Sequence, residues 1–338
     1  MEVGQAHHVV PVVEPTQPSA ARFLVRSLVD AVGFGEEDSY RAGLVATELA
    51  TNLVKHARGG ELLASIVGAQ SAPTLELLAV DRGPGIRDLP LAMTDGHSTA
   101  GSPGQGLGAI RRMSDTFDMH SAEGRGTVVL ARVSPRKRPT GTLHRFECAA
   151  VSVPKAGEPV CGDSWRVLEF DDHLSVAVVD GLGHGLHASD AATAAAAAFE
   201  RHATAGTKRM LEAMHDAARP TRGAAAAVAV IDGSSGQIAF SGVGNIAGTV
   251  LIPGQPARHT VSQPGTLGHQ LRHLREYTYP WSADAMLVMH SDGLSSHWTL
   301  DGLDGVARRH PSVVAAVLYR EFSRQRDDVT VVVARMRT

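Results

Sequence analysis

Apolar positions along the chain switch between helical and strand spacing, and the switches lay out two halves. Phe23, Leu24, Leu28 and Val32 recur at helical spacing over residues 18–33, closed by Gly33 and Gly35. A second helix is predicted from about residue 37 to 57, stopping before Gly59-Gly60. Strands follow at 62–67 and 75–80, the second running into Asp81-Arg-Gly83-Pro-Gly85. A loop rich in glycine, serine and threonine over 94–104 leads to Gly104-Gln-Gly106-Leu-Gly108, a short helix over 109–113, and a strand over 128–133. Residues 134–142, with two prolines and three basic residues, read as a linker. Beyond it come strands at 143–153, 167–170 and 174–180, helices at 187–204 and 207–218, and strands at 224–231, 237–241, 247–252 and 285–290. A helix over 301–322 and a strand over 329–334 complete the prediction.

Composition narrows this picture. A chain of 338 residues with 43% hydrophobic and 20% charged residues suits two domains, each able to build a core. The net charge of -3 offers no electrostatic reason to expect nucleic acid or an anionic membrane as a partner. Cys148 and Cys161 form neither a C-x-x-C nor a zinc spacing. The start of the chain lacks the basic and apolar regions of a signal peptide, and no run approaches the ~20 apolar residues of a membrane span. A reduced, cytoplasmic setting is the expectation.

Two groups of polar residues carry candidate chemistry. On the helix over 37–57, at about 100° per residue, Arg41, Glu48, Asn52 and Lys55 fall within roughly 60° of arc; a solvated polar face would look the same. In the second half, Val176-Ala-Val-Val-Asp180-Gly-Leu-Gly-His-Gly185 reads as a buried strand stopping at a tight loop with an acid at its mouth. Three further acids end strands beside glycine or another acid: Asp163, Asp292, and Asp327 or Asp328. One such acid is an ordinary cap. Four suggest carboxylates converging on hard divalent cations, which can grip phosphate.

The order E-x-x-x-N, D-x-G-x-G, G-x-G-x-G and G-T across about residues 15–133 resembles the GHKL (Bergerat-fold) ATPases and kinases, most closely the stand-alone serine kinases of anti-sigma and stressosome switches. The resemblance implies an α/β sandwich with helices on one mixed sheet. It implies ATP with Mg²⁺ as cofactor and Asn52 as a Mg²⁺ ligand. Asp81 would accept the adenine amino group, Gly83 and Gly85 would admit the base, and Gly104, Gly106 and Gly108 would line the phosphates. Thr127 would make a second adenine contact, Lys55 would reach phosphate, and Glu48 would be the general base toward a protein serine.

The order G-D, D-G-x-G-H-G, S-D-G and D-D-x-T-V-V-V over about residues 143–336 resembles the PPM family of metal-dependent serine/threonine phosphatases, in its SpoIIE-like branch. Ser241-Gly-Val-Gly-Asn245-Ile is further similar to the small phosphatase that resets stressosome scaffolds. This implies an α-β-β-α sandwich and two Mn²⁺ or Mg²⁺ ions. Asp180 would be the catalytic bridge between the ions, the Gly181 carbonyl would bind one, Asp292 and Asp327 would complete the second site, and Asp163 would hold water around the first. Gly162 stands where many relatives carry a further acid. His184 is a candidate proton donor that reads equally as a loop residue packing on its turn.

The expectation is therefore an α+β chain of two domains, 1–133 and 143–338, joined at 134–142. The first would phosphorylate and the second dephosphorylate a serine or threonine on a partner, a STAS-type antagonist or scaffold. A sigma factor or a downstream phosphatase is a further candidate partner, and a homodimer is compatible with the sequence. A rival reading keeps the phosphatase and makes the first domain a non-catalytic ATP sensor or sigma-factor-binding module.

Overall fold

The computed structural model describes residues 2–3, 6–69, 71–93, 106–136, 144–271 and 273–337. Its first half contains β1 (Glu2–Val3), β2 (His8–Val12), α1 (Gln17–Ala31), α2 (Glu36–Ala57), β3 (Gly60–Val67), β4 (Thr74–Val80), α3 (Leu89–Ala92), α4 (Leu107–Met113), β5 (Thr116–Ala122) and β6 (Gly126–Val133). The second half opens with β7 (Phe146–Val153), β8 (Asp163–Phe170), β9 (His173–Gly181), α5 (Leu186–His202), α6 (Thr207–Ala218), β10 (Ala224–Asp232) and β11 (Gln237–Val243). It continues through β12 (Ala247–Leu251), β13 (Arg258–His259), β14 (Tyr277–Pro280), β15 (Met286–His290), α7 (Pro311–Phe322) and β16 (Val329–Met336).

Contacts divide the chain into an N-terminal unit, His7–Gly141 with Thr299–Arg320, and a C-terminal unit, Met1–Ala6 with Thr142–Trp298 and Glu321–Thr338. This division differs from the sequence boundaries at two segments. The first residues lie with the C-terminal unit because β1 pairs with β8. Residues 299–320 lie with the N-terminal unit because their polar groups bond its sheet, as described next. Much of the linker expected over 134–142 falls outside the described residues. Its start is fixed: Arg41 donates to the Ser134 carbonyl, and the Arg136 amide donates to Asp38, 3.0 Å away.

In the N-terminal unit the sheet runs β2-β3-β4-β6-β5. Every pairing in it is antiparallel, where a mixed sheet was expected: β2-β3, β3-β4 and β5-β6 pair as chain neighbours, and β6 returns antiparallel to β4. Alternation along the strands sends Leu62, Leu75, Leu77 and Val129 to one face, where Val25, Val45, Leu49, Leu53 and Ile110 of the helices cover them. Residues 299–320 lie over the other face. There Ser312 Oγ donates to the fully buried Glu76 (2.6 Å), Tyr319 donates to Glu61 (2.9 Å), and the His310 amide donates to Asp118 (2.6 Å). Arg132 pairs with Glu76 at 2.8 Å and holds its carboxyl well below the usual carboxylate range, against the upward push of burial. The helix predicted over 301–322 begins only at Pro311, since Gly302 and Gly305 take positive φ (72° and 77°) just before it.

The C-terminal unit is a sandwich of two antiparallel sheets, β1-β8-β9-β10-β11-β14 and β13-β12-β15-β16-β7. Trp165, Val176, Val178, Phe240, Leu287 and Val332 fill the space between them. Helices α5 and α6 cover the outer face of the first sheet through Phe199, Met210, Leu211 and Met214. The alanine run of α5 lets that helix approach the sheet closely. No helix among the described residues is long and apolar enough to cross a membrane.

Two candidate active sites

The first site gathers around the end of β4. Asp81 is 8% exposed, and its Oδ1 accepts the amides of Gly83 (2.8 Å) and Thr127 (3.1 Å). Both bonds fall on one oxygen, so Oδ2 remains an acceptor. Burial raises the Asp81 pKa, and those two amides and Arg320 oppose the rise. Gly83 is required by space: a β-carbon there would lie 2.7 Å from Ala57 Cα. At Gly85, φ is 72° and a β-carbon would lie 2.2 Å from the Ala122 carbonyl oxygen. Ser121 ties the cluster together. Its hydroxyl accepts the Ile86 amide (2.8 Å) and bonds Thr127 Oγ1 (2.9 Å).

Glu48, Asn52 and Lys55 occupy successive turns of α2, with Lys55 exposed and the other two half-buried. Burial raises the Glu48 pKa while the Lys55 charge lowers it. Arg41 does not join them. It pairs with Asp38 at 2.9 Å and reaches the Met113 carbonyl at 3.3 Å, so it knits α2 to the end of α4. Gly106 caps α4 and a β-carbon there would meet nothing within 4 Å; Gly108 is buried in the first turn. Gly104 lies outside the described residues. Arg320, 2% exposed, donates to the Asp81 carbonyl at 3.3 Å. Sequence reasoning missed Arg320 and Ser121: one is distant in the chain, the other sits on the unforeseen β5.

The second site lies at strand ends of the C-terminal unit. The register of β8 and β9 sets Asp163 directly opposite Asp180. Asp163 is 7% exposed, and its Oδ2 accepts Ser291 Oγ at 2.6 Å. That hydroxyl in turn accepts the Thr330 amide at 2.9 Å. Oδ1 of Asp163 is buried and has no hydrogen-bond partner among the described residues. Burial, then the charge of Asp180, pushes Asp163 well above the usual aspartate range. Asp180 is pushed up to about 7, by burial and then by Asp292 and Asp327. Asn245 Nδ2 donates to Asp292 at 2.7 Å. Ser291 and Asn245 stood in quoted motifs, but their bonding to these acids was not foreseen.

Asp327 and Asp328 separate by role. Asp327 is exposed, and its charge adds to the rise of the Asp180 pKa. Asp328 is 3% exposed and accepts the Lys155 amide at 2.9 Å, which anchors the loop before β8. Gly162, beside it, has no room for the absent acid: a β-carbon would lie 2.6 Å from Asp328 Oδ2 and 2.9 Å from Ala188 Cβ. His184 bonds Glu158 at 2.6 Å. Both cysteines are free and buried, and burial pushes the Cys161 thiol far up.

The donors fit a hard divalent cation in three respects. They are all oxygen, their like charges raise one another's pKa, and Asp163 keeps an orphaned buried oxygen. Among the described residues no group of three or more Asp, Glu, His or Cys side chains stands close enough together to hold a metal ion by itself, so water would have to supply part of any cation's shell.

Comparison with known proteins finds relatives for each half of the chain. Residues 12–133 match the histidine kinase-like ATPase domain family, and residues 171–337 match the stage II sporulation protein E (SpoIIE) family. The serine/threonine-protein kinase RsbT of Bacillus subtilis (strain 168) is 38% identical over 112 residues, 33% of this chain and 84% of that protein. The phosphoserine phosphatase RsbX of the same organism is 27% identical over 141 residues, 42% of this chain and 71% of that protein. A solved structure described as "The bacterial stressosome: a modular system that has been adapted to control secondary messenger signaling" matches 57% of this chain and all of its own (29% identity, TM-score 0.54).

Proposed function

This chain belongs to the histidine kinase-like ATPase family through its first half and to the SpoIIE phosphatase family through its second, and on that footing we propose a two-headed signalling enzyme. The N-terminal half would phosphorylate, and the C-terminal half dephosphorylate, a serine or threonine on a STAS-type antagonist or scaffold protein. The carrying observation is the pairing in one chain of an RsbT-like half, which has Glu48, Asn52 and Asp81 at its candidate site, with a strand-end cluster of carboxylates. Joining the two on one chain would raise the effective concentration of each on a shared target.

In the first site Asp81 Oδ2 would accept the adenine amine, Asn52 would hold Mg²⁺, and Lys55 with the backbone at Gly104, Gly106 and Gly108 would face phosphate. Glu48, whose pKa is raised by burial, would take the proton of the attacking hydroxyl. In the second, Asp180, the Gly181 carbonyl, Asp292 and Asp327 would hold two Mg²⁺ or Mn²⁺ ions, with Asp163 acting through water. Bound ions supply an activated hydroxide and charge for the phosphate oxygens. Ser291 and Asn245 would keep Asp163 and Asp292 aimed.

The test is to incubate the full chain with ATP, Mg²⁺ and STAS proteins, with and without Mn²⁺, and follow serine and threonine phosphate. If phosphate is neither added nor removed, the reading fails. One observation favours a second reading, in which the N-terminal half senses ATP and governs the phosphatase. The chain between Asp292 and Asp327 runs through residues 299–320, which belong to the N-terminal unit, and there Arg320 donates to the Asp81 carbonyl. Glu48→Ala separates the two readings. Loss of phosphorylation with ATP binding kept supports the kinase; unchanged phosphate transfer or ATP response supports the sensor.

A further inference from the structure

We propose that Arg222 is a phosphate-binding residue of the C-terminal site, its guanidinium taking a phosphoryl oxygen of the phosphoprotein and of the phosphate product. The inference rests on the phosphatase reading and deepens it.

Three observations carry it. The first is placement. Strands β9 and β10 pair antiparallel with Gly181 opposite Ala224, and the Leu182 amide donates to the Gly223 carbonyl at 3.0 Å. Continuing that register sets Arg222 opposite Gly183, three residues past Asp180, about 10 Å along the strand direction. The side chain lies over the loop: a β-carbon on Gly183 would be 3.4 Å from Arg222 Nη1. Gly183 (φ 92°) therefore leaves the space that the guanidinium uses.

The second is anchoring. The Thr221 hydroxyl donates to the Ala218 carbonyl (2.6 Å) and accepts the Gly223 amide (3.1 Å). The Arg222 carbonyl is bonded by His269 Nε2 at 2.9 Å. Gly223 (φ 86°) is pressed against Leu267, where a β-carbon would lie 2.6 Å from the carbonyl oxygen. The backbone that carries the guanidinium is thus held from three sides, which lowers the entropy lost on gripping a ligand.

The third is charge. Arg222 is exposed, and among the described residues its guanidinium has neither a carboxylate partner nor a hydrogen bond. Its neighbours are accounted for: Arg219 pairs with Asp216 at 3.0 Å, and His184 pairs with Glu158 at 2.6 Å. An unpaired arginine about three strand residues beyond Asp180 is suited to a group that arrives with its own negative charge. The planar fork matches two phosphoryl oxygens, and in-line displacement leaves equatorial oxygens for it once metal ions have taken theirs.

The test uses the full chain loaded with Mg²⁺ and inorganic phosphate as the probe. Phosphate affinity is measured by titration calorimetry for the wild type, R222Q and R222K, with R219Q as a surface control, and Mg²⁺ affinity is measured separately. Arg222 makes no internal side-chain bond, so both variants should fold. The proposal expects R222Q to weaken phosphate binding on the order of tenfold or more. R222K should fall in between, Mg²⁺ affinity should not change, and KM should rise more than kcat falls on p-nitrophenyl phosphate. Wild-type phosphate affinity in R222Q overturns it, as does an equal loss of Mg²⁺ affinity, which would assign Arg222 to the acids rather than to phosphate. A wild type that binds Mg²⁺ but no phosphate also overturns it, whereas one that binds no Mg²⁺ overturns the phosphatase reading itself.

Discussion

The aspartate cluster makes the stability of the C-terminal unit depend on pH and metal together. An Asp180 in the unfolded chain titrates near 3.8, and burial with its like-charged neighbours moves it to about 7 in the fold. The metal-free fold therefore binds more protons than the unfolded chain between those values, so stability falls as pH rises from about 4 and levels off above 7. At about 1.4 kcal/mol per pH unit, the loss between pH 5 and pH 8 is about 3 kcal/mol from Asp180 alone. Asp163 and Asp328 are raised in the same direction and add to it. Mg²⁺ must displace this proton below pH 7, so its apparent affinity should climb about tenfold per pH unit up to that point and then flatten.

The three tryptophans, Trp165, Trp281 and Trp298, all lie in the C-terminal unit, so their fluorescence reports on that unit selectively. Urea unfolding followed by tryptophan emission at pH 5.5 and pH 8, with EDTA or with Mg²⁺, reads the linkage directly. Metal-free protein should be weaker at pH 8, and the gain from Mg²⁺ should be larger there. Asp180→Asn removes one of the repelling charges, so it should stabilise the metal-free unit at pH 8 and abolish the Mg²⁺ gain. An equal Mg²⁺ gain at both pH values, or a metal-free Asp180→Asn less stable than wild type at pH 8, would refute the like-charge account.

Three other outcomes are expected. Gly85→Ala should abolish binding of a fluorescent ATP analogue, because its β-carbon would lie 2.2 Å from a backbone oxygen at positive φ, whereas Gly106→Ala, with nothing within 4 Å, should still fold. Glu76→Ala should cost the N-terminal unit about 3–5 kcal/mol in urea unfolding followed by circular dichroism, since it removes the buried carboxylate that pairs with Arg132 and accepts Ser312. Gly162→Asp should weaken Mg²⁺ binding and destabilise the C-terminal unit by about 2 kcal/mol or more, because Asp328 and Ala188 occupy the space.

The strands that carry the sites were legible because they are mostly apolar runs and their ends are marked by acid and glycine. β4 and β9 are of this kind: β4 is buried along its whole length and β9 through its centre. β5 was missed because Asp118 and His120 break its pattern. Their polarity is answered by residues far along the chain: Asp118 accepts the His310 amide, and His120 bonds the Asp304 carbonyl at 3.2 Å. The same cause hid the membership of residues 299–320, whose anchors on the sheet are single polar groups such as Ser312 and Tyr319. Spacing on α2 grouped Arg41 with Glu48 and Asn52. Angular position alone could not tell that Arg41 is drawn away to Asp38 and the Met113 carbonyl.

Glycine follows directly after Asp180 and Asp292 and two residues after Asp81, yet Gly83, Gly181 and Gly293 do not take the left-handed conformation that only glycine favours. They are glycine because backbone presses on them: a β-carbon would lie 2.7 Å from Ala57 Cα at Gly83, 2.0 Å from the Ala188 carbonyl oxygen at Gly181, and 2.0 Å from the Asp328 carbonyl oxygen at Gly293. Each acid therefore precedes a point where two main chains touch, the most rigid kind of contact a fold offers. Burial pushes Asp180 up first, and oxygens held in this way cannot swing apart to relieve the further push from Asp292 and Asp327, which together carry it to about 7 in the metal-free fold. The energy stored in that repulsion is what a cation releases on binding. The same rigidity that makes the unit weaker without metal makes its acids ready ligands when metal arrives.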